Sequence, residues 1–190
     1  MSILTMLAPP SLASRVNIPH CTKMALVHDM AESLVGDITP VDGVPKAEKA
    51  RRESLTMDYL CNRLLAGIPA AKEIRAIWDE YENSETLEAK FVHDIDKLEL
   101  ILQTIEYERS AKGEKDLSEF MWVSTRIVLP EMKEWCRQAI EERDQMWASF
   151  GKVPQGVWRD GQKMSEPAEE KLEEQLGEYY GAKPELTPVT

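Results

Sequence analysis

Twelve residues, Leu26-Val-His-Asp-Met-Ala-Glu-Ser-Leu-Val-Gly-Asp37, gather one histidine and three carboxylates. On a helix, His28 and Glu32 stand four residues apart and Asp29 and Glu32 three apart, so the three side chains lean toward one patch. An imidazole beside carboxylates offers a divalent cation nitrogen and oxygen donors. Gly36 provides a position where a positive φ costs little, which ends the helix and leaves Asp37 just beyond it. The spacing therefore predicts a site at a helix-to-loop corner.

The dipeptide alone is a weak signal, because His93-Asp94 repeats it, again after a valine. Company separates the two pairs. His28 has Glu32 four residues on, whereas His93 has Lys97 at that spacing and Asp96 three residues on as a second ligand pair. Spacing leaves two readings of His28 and Asp29, a metal site or a hydrogen-bonded structural pair. Lys46, Lys49, Arg51 and Arg52 crowd a helix start, where cations oppose the helix dipole, and Lys46 or Arg51 is the residue expected to attract a phosphate. The alternative is a solvated face paired with Glu48 and Glu53. Trp78, Trp122, Trp135 and Trp147 read as core, and Glu106 and Glu108 as exposed residues without a role.

The elements that must position these residues read as helices. Thr22 to Val35 is expected as one buried helix carrying the polar trio, followed by a loop over Ile38 to Val44. Pro45 opens a helix from Lys46 to Leu65, with Leu55, Tyr59 and Leu60 inward and Gly67 and Pro69 ending it. Ala70 to Tyr81 presents Ile74, Ile77, Trp78 and Tyr81 on one face, and Ser84 is a candidate N-cap for the next helix. Leu87, Phe91, Ile95, Leu98, Leu102 and Ile105 alternate steps of four and three, the stripe of a central helix bordered by Asp96. Leu117 to Val128 is expected as a shorter helix, and Pro130 starts another that runs to about Phe150. No useful β alternation appears, so the fold class is all-α. Residues 1–150 form the domain, and 151–190 an acidic extension, partly helical over Pro167 to Tyr180 or disordered.

A chain of 190 residues with 43% hydrophobic and 30% charged residues has the composition of one soluble domain. It contains no run of the ~20 apolar residues that a membrane helix needs. The net charge of −11 repels nucleic-acid polymers but tolerates a small anion beside a local cation, so a mononucleotide is the compatible partner. Three widely spaced cysteines and the lack of a basic n-region before Pro10 point to the cytoplasm, with the nucleus as the alternative.

Three blocks, Leu26-Val-His-Asp-Met-Ala-Glu-x-x-x-Gly-Asp-Ile38, Pro45-Lys-x-x-Lys-x-Arg-Arg-Glu53 and Lys90-Phe-Val-x-x-Ile-Asp-Lys-x-Glu99, resemble the HD-domain 5′-deoxynucleotidase family in order and spacing. The resemblance runs from about Met1 through Phe150. It implies an HD-domain helical bundle that removes phosphate from (deoxy)ribonucleoside 5′-monophosphates. It implies a divalent cation, Mn²⁺ or Co²⁺ foremost with Mg²⁺ or Zn²⁺ as others, and a homodimer. Carried over by motif, His28, Asp29 and Asp96 are the metal ligands, Glu32 works with the attacking water and Asp37 belongs to the active-site wall. Met1-Ser-Ile-Leu-Thr-Met-Leu-Ala resembles the tail of a family helix whose ligand histidine lies further upstream, and His20 does not match that position. The rival expectation is a catalytically impaired HD-fold protein that serves as a nucleotide- or metal-binding or interaction module.

Overall fold

The computed structural model describes residues 1–39 and 42–154, together with the backbone of 157–159 and 162–164. Two short helices, α1 (Ser2–Met6) and α2 (Pro10–Ala13), lead into α3 (Ile18–Val27), α4 (Glu32–Val35) and α5 (Lys46–Tyr59). A π-helical turn at Leu60–Leu64 extends α5, and then come α6 (Ala70–Asn83), α7 (Leu87–Ser110), a 3₁₀ helix at Ser118–Arg126, and α8 (Pro130–Ser149). The helix starts obey local chemistry. Asn17 caps α3 by accepting from the His20 amide, Thr86 caps α7 by accepting from the Ala89 amide, and Pro130 occupies the first turn of α8.

The long helix α7 is the axis of the bundle. Its Phe91, Val92, Ile95, Leu98, Ile101 and Ile105 are buried against Cys21 and Met24 of α3, Ile77 and Tyr81 of α6, Met121 of the 3₁₀ segment and Met132 and Cys136 of α8. Of the expected stripe, Phe91, Ile95, Leu98 and Ile105 are buried, and Leu87 and Leu102 pack against the core partly covered. A smaller core joins Ala31, Met57, Leu60, Cys61, Ala71 and Trp78, and it holds α5 against α6 beneath the turn after α3. All three cysteines are buried free thiols. Trp78 and Trp147 are buried, while Trp122 and Trp135 pack partly covered against the main core.

Several local expectations are corrected. The helix expected over Thr22 to Val35 breaks at His28, since the imidazole Nδ1 donates to the Ala25 carbonyl that a continuing helix would have paired with the Asp29 amide. From there to Leu34 the chain tightens, and the amides of Met30, Glu32, Ser33 and Leu34 reach back three residues. Ser84 is the left-handed C-cap of α6, at φ 55°, and the N-cap of α7 is Thr86. Leu55 and Tyr59 are exposed, and the inward residues of α5 are Glu53, Thr56 and Met57, followed by Leu60 in the turn that extends it, which is buried as expected. A polar residue on the buried face shifts the apparent hydrophobic phase, which is why an apolarity pattern selects the wrong side. The segment 117–128 is a 3₁₀ rather than an α-helix over Ser118–Arg126.

Glu106 is exposed as expected, but Glu108 is fully buried. Its Oε2 accepts from Arg143 Nε at 2.7 Å and Trp147 Nε1 at 2.8 Å, and its Oε1 accepts from Arg143 Nη2 at 2.7 Å and the Leu117 amide at 2.9 Å. This network staples α7 to α8 and to the chain entering the 3₁₀ helix. The bundle is helical throughout, and beyond it a short antiparallel hairpin pairs Val157–Arg159 with Gln162–Met164. Strands of three residues are too short for alternation to reveal them. The helical run expected over Pro167 to Tyr180 lies outside the described residues. Among the described residues, no helix is long and apolar enough to cross a membrane.

Asp94, in the second His-Asp pair, is buried and caps the approach to α8. Its carboxylate accepts from the Val128 amide at 3.0 Å and the Leu129 amide at 2.7 Å. Asp94→Ala takes this partner from the buried Leu129 amide and the part-buried Val128 amide and is expected to cost about 1–3 kcal/mol, read as a lower chemical-denaturation midpoint with an unchanged slope. An unchanged midpoint would show that solvent replaces the cap.

Candidate active site

His28 is the residue after α3, and its ring is held from two sides while its backbone carbonyl is held by Trp78. Nδ1 lies 3.2 Å from the Ala25 carbonyl, which can only accept, so Nδ1 carries the proton and Nε2 presents its lone pair. Trp78 Nε1 donates to the His28 carbonyl at 3.1 Å, and the Tyr81 ring meets the imidazole edge to face with centroids 5.2 Å apart. Tyr81 in turn stacks on His93 at 3.9 Å. The ring is thereby aimed rather than free.

What it is aimed at is carboxylate. Nε2 is buried without a hydrogen-bond partner, yet Asp29 Oδ2 stands 2.9 Å away and Asp96 Oδ1 3.9 Å away. A lone pair facing carboxylate oxygens at these distances calls for a proton or a cation between them. Burial opposes protonation of His28, but the Asp29 and Asp96 carboxylates more than offset it and raise its pKa. The donor chemistry, one imidazole nitrogen and two carboxylates, fits a divalent transition-metal ion. Separations of ~3 to ~4 Å would let these groups share one ion with bonds of ~2.1 Å. Among the described residues, no three His, Cys, Asp or Glu side chains already enclose one point. Asp29 and Asp96, with side chains 59% and 46% exposed, are free to rotate toward one.

Glu32 opens α4 on the same surface, with its side chain 24% exposed. Burial, reinforced by the negative charges of Asp29 and Asp37 and opposed by Lys49, pushes its pKa up to about 7. Asp37 follows Gly36, which takes φ 79°, and it is exposed while acting electrostatically on Glu32 and Glu53. Lys49 reaches into this region from α5 and donates to the Ile38 carbonyl at 2.9 Å. Its Nζ lies 3.8 Å from Glu32 and 3.6 Å from Glu53.

Of the residues singled out by spacing, His28, Asp29 and Glu32 converge and Asp37 stands at the rim, and Asp96, which the family resemblance implied, joins them. Lys46 is exposed at the start of α5, and its charge acts on Glu82 and His93. Arg51 points elsewhere and grips Glu48 through two hydrogen bonds of 2.7 and 2.9 Å, and Arg52 binds the same carboxylate at 2.8 Å. The His93–Asp96 ligand pair does not form. His93 Nε2 lies 3.0 Å from the Tyr81 carbonyl, and burial, with help from Lys97, pushes its pKa down to about 4, so the ring is neutral. His20 pairs with Glu80 at 2.7 Å. Sequence reading missed Lys49, Glu53 and Tyr81 as neighbours of the site. The Lys49–Glu53 spacing of four on one helix face was the available signal, and Tyr81 looked like any core aromatic.

Comparison with known proteins identifies the family. Residues 1–136 match the model of a family described as HD domain. The chain is 50% identical over 155 residues to the 5′-deoxynucleotidase hdd1 of Schizosaccharomyces pombe, covering 78% of this chain and 75% of that protein. It is 48% identical over 152 residues to the 5′-deoxynucleotidase YBR242W of Saccharomyces cerevisiae, covering 79% of this chain and 63% of that protein. Among solved structures, the HD domain-containing protein YGK1 superposes with a TM-score of 0.63 at 36% identity, over 77% of this chain and 74% of that one. Family model, relatives and fold agree across most of the chain's length, and the chain belongs to the HD domain family.

Proposed function

We propose that this protein is a metal-dependent phosphohydrolase that removes phosphate from deoxyribonucleoside 5′-monophosphates. The observation that carries the reading is the buried His28 Nε2, without a hydrogen-bond partner and facing the carboxylates of Asp29 and Asp96, with Glu32 beside them. Relatives named 5′-deoxynucleotidase supply the substrate class. His28, Asp29 and Asp96 would hold the ion, and nitrogen with carboxylate oxygen suits Mn²⁺ or Co²⁺. A bound divalent ion supplies Lewis acidity toward water and phosphate.

The chain's own groups do the rest. Glu32, with a pKa near neutrality, takes the proton from the water that attacks phosphorus and returns it to the leaving 5′-oxygen as the P–O bond breaks. The Ala25 carbonyl and Tyr81 keep the His28 ring oriented, Trp78 holds the His28 backbone, and Asp37 closes the rim beside Glu32. Lys46 adds positive charge at the mouth for a small dianion. The overall charge of −11 works against a polymeric nucleic acid. Buried free thiols suit a reducing compartment such as the cytoplasm or nucleus.

Purified protein supplied with Mn²⁺ or Co²⁺ is expected to release inorganic phosphate from deoxyribonucleoside 5′-monophosphates. A chelator should abolish that release, and added metal should restore it. Elemental analysis is expected to find stoichiometric metal, falling at least tenfold in Asp96→Asn. Absence of metal from protein dialysed against saturating Mn²⁺ would refute the enzyme and leave a non-catalytic interaction module.

A further inference from the structure

We propose that Lys49 is a positioning residue for Glu32, tying that carboxylate to α5 and to the loop that follows Gly36. The inference rests on the phosphohydrolase reading above for its kinetic consequence, but the tie itself is structural. Glu32 belongs to α4, a helix of four residues none of which is buried, so its own element does little to hold it. α5 is firmer, with its Met57 and the Leu60 of the turn that extends it anchored in the smaller core.

From that anchored helix, Lys49 reaches three groups among the described residues. Its Nζ donates to the Ile38 carbonyl at 2.9 Å, which pins the backbone one residue after Asp37. The same ammonium stands 3.8 Å from Glu32 and 3.6 Å from the buried Glu53, two carboxylates from different helices that would otherwise repel each other. A side chain only 23% exposed loses little of this attraction to solvent. Lys49 therefore keeps Glu32 from swinging away from Glu53, and it keeps the 36–39 segment against α5. Arg51 and Arg52, paired with Glu48, do not take part.

The test uses Lys49→Met, Glu32→Gln and the double variant, with kcat and KM measured on a deoxyribonucleoside 5′-monophosphate. Positioning predicts that Lys49→Met lowers kcat about 10- to 100-fold with KM held within about threefold. Lys49→Arg should recover part of the loss, and the double variant should be no slower than Glu32→Gln alone. A raised KM with unchanged kcat would instead make Lys49 a direct phosphate ligand and overturn the proposal, as would losses that multiply in the double variant. Lys49→Gln keeps a donor for Ile38 and is read the same way if the methionine variant does not fold. Hydrogen exchange over residues 32–39 of the metal-free protein judges the tie without catalysis. Exchange about tenfold faster in Lys49→Met supports it, and unchanged exchange overturns it. If the wild-type protein hydrolyses no nucleotide, the phosphohydrolase reading falls, while the exchange result still decides for or against the tie.

Discussion

Glu32→Gln is expected to lower phosphate release by about 10²- to 10⁴-fold, the usual contribution of a positioned general base, without unfolding the protein. Glutamine keeps the shape of the side chain but cannot take a proton from water. In the wild type the base must be ionised, so kcat/KM should climb with pH and level off at or below about 7, where Glu32 titrates in the absence of a cation. A bound divalent ion moves that limb downward, because a nearby cation favours the carboxylate. The variant should lose this limb along with the activity. A variant that keeps near-wild-type turnover would remove Glu32 from the mechanism.

The same substitution has a stability signature of opposite sign. The folded-state pKa of Glu32 is raised from 4.5 to about 7, so the folded protein holds this proton more tightly than the unfolded chain. The stabilisation this proton provides is fully present below about 4.5 and is lost as pH rises through about 7. At pH 8 the wild type carries a partly buried carboxylate beside Asp29 and Asp37, whereas glutamine stays neutral. Metal-free Glu32→Gln is therefore expected to be more stable than wild type at pH 8, by about 1–3 kcal/mol, and to match it near pH 4. Thermal melts at the two pH values check this. A site that loses activity and gains stability from one change is behaving as a functional site rather than a structural one.

Arg143→Met is expected to be the most destabilising single change in the bundle, costing about 3–5 kcal/mol and lowering Tm by about 10 °C. Arg143 is 2% exposed and meets both oxygens of Glu108, itself fully buried, in a two-pronged pair. Removing the guanidinium leaves a carboxylate in the core with only the Trp147 and Leu117 donors, and it takes from the Ser118 hydroxyl the hydrogen bond that Arg143 donates at 2.8 Å. Replacing both partners by apolar residues should restore much of the loss, because the penalty arises from the stranded charge. Glu108 lies twelve residues along α7 from Asp96, roughly 18 Å by helical rise, so turnover of the folded fraction should change little. A large fall in kcat at a temperature where the variant is folded would tie the two ends of α7 together and contradict this separation.

Much of this molecule is decided within short stretches of chain. The stripe on α7, the stop at Gly36, the proline start of α8 and the crowding of His28, Asp29 and Glu32 all depend on neighbours three or four residues away, which is the range over which helical periodicity acts. They were legible without coordinates, as were the three blocks that carry the family resemblance. The helix break at His28 was not, because it depends on which partner the Ala25 carbonyl accepts.

Tertiary packing decided what a helical period cannot express. A period assigns residues to faces of their own helix but does not say what stands opposite each face. Asp94 and Asp96 are two residues apart on α7 and so point about 200° apart around its axis. One finds the amides that open α8, and the other finds His28, which is 68 positions earlier in the chain. The two His-Asp pairs part for the same reason: His93 is shut against Tyr81 while His28 keeps an unpaired nitrogen facing carboxylates. Lys49 enters the site and Arg51 does not, since α5 turns its Glu53 face inward. Glu108 meets Arg143 across 35 residues of sequence. The sequence by itself determined which chemical groups are present and their local spacing, and the packing of helices determined which of them share a low-dielectric space, where unpaired charge is costly and a cation or a proton is bound strongly.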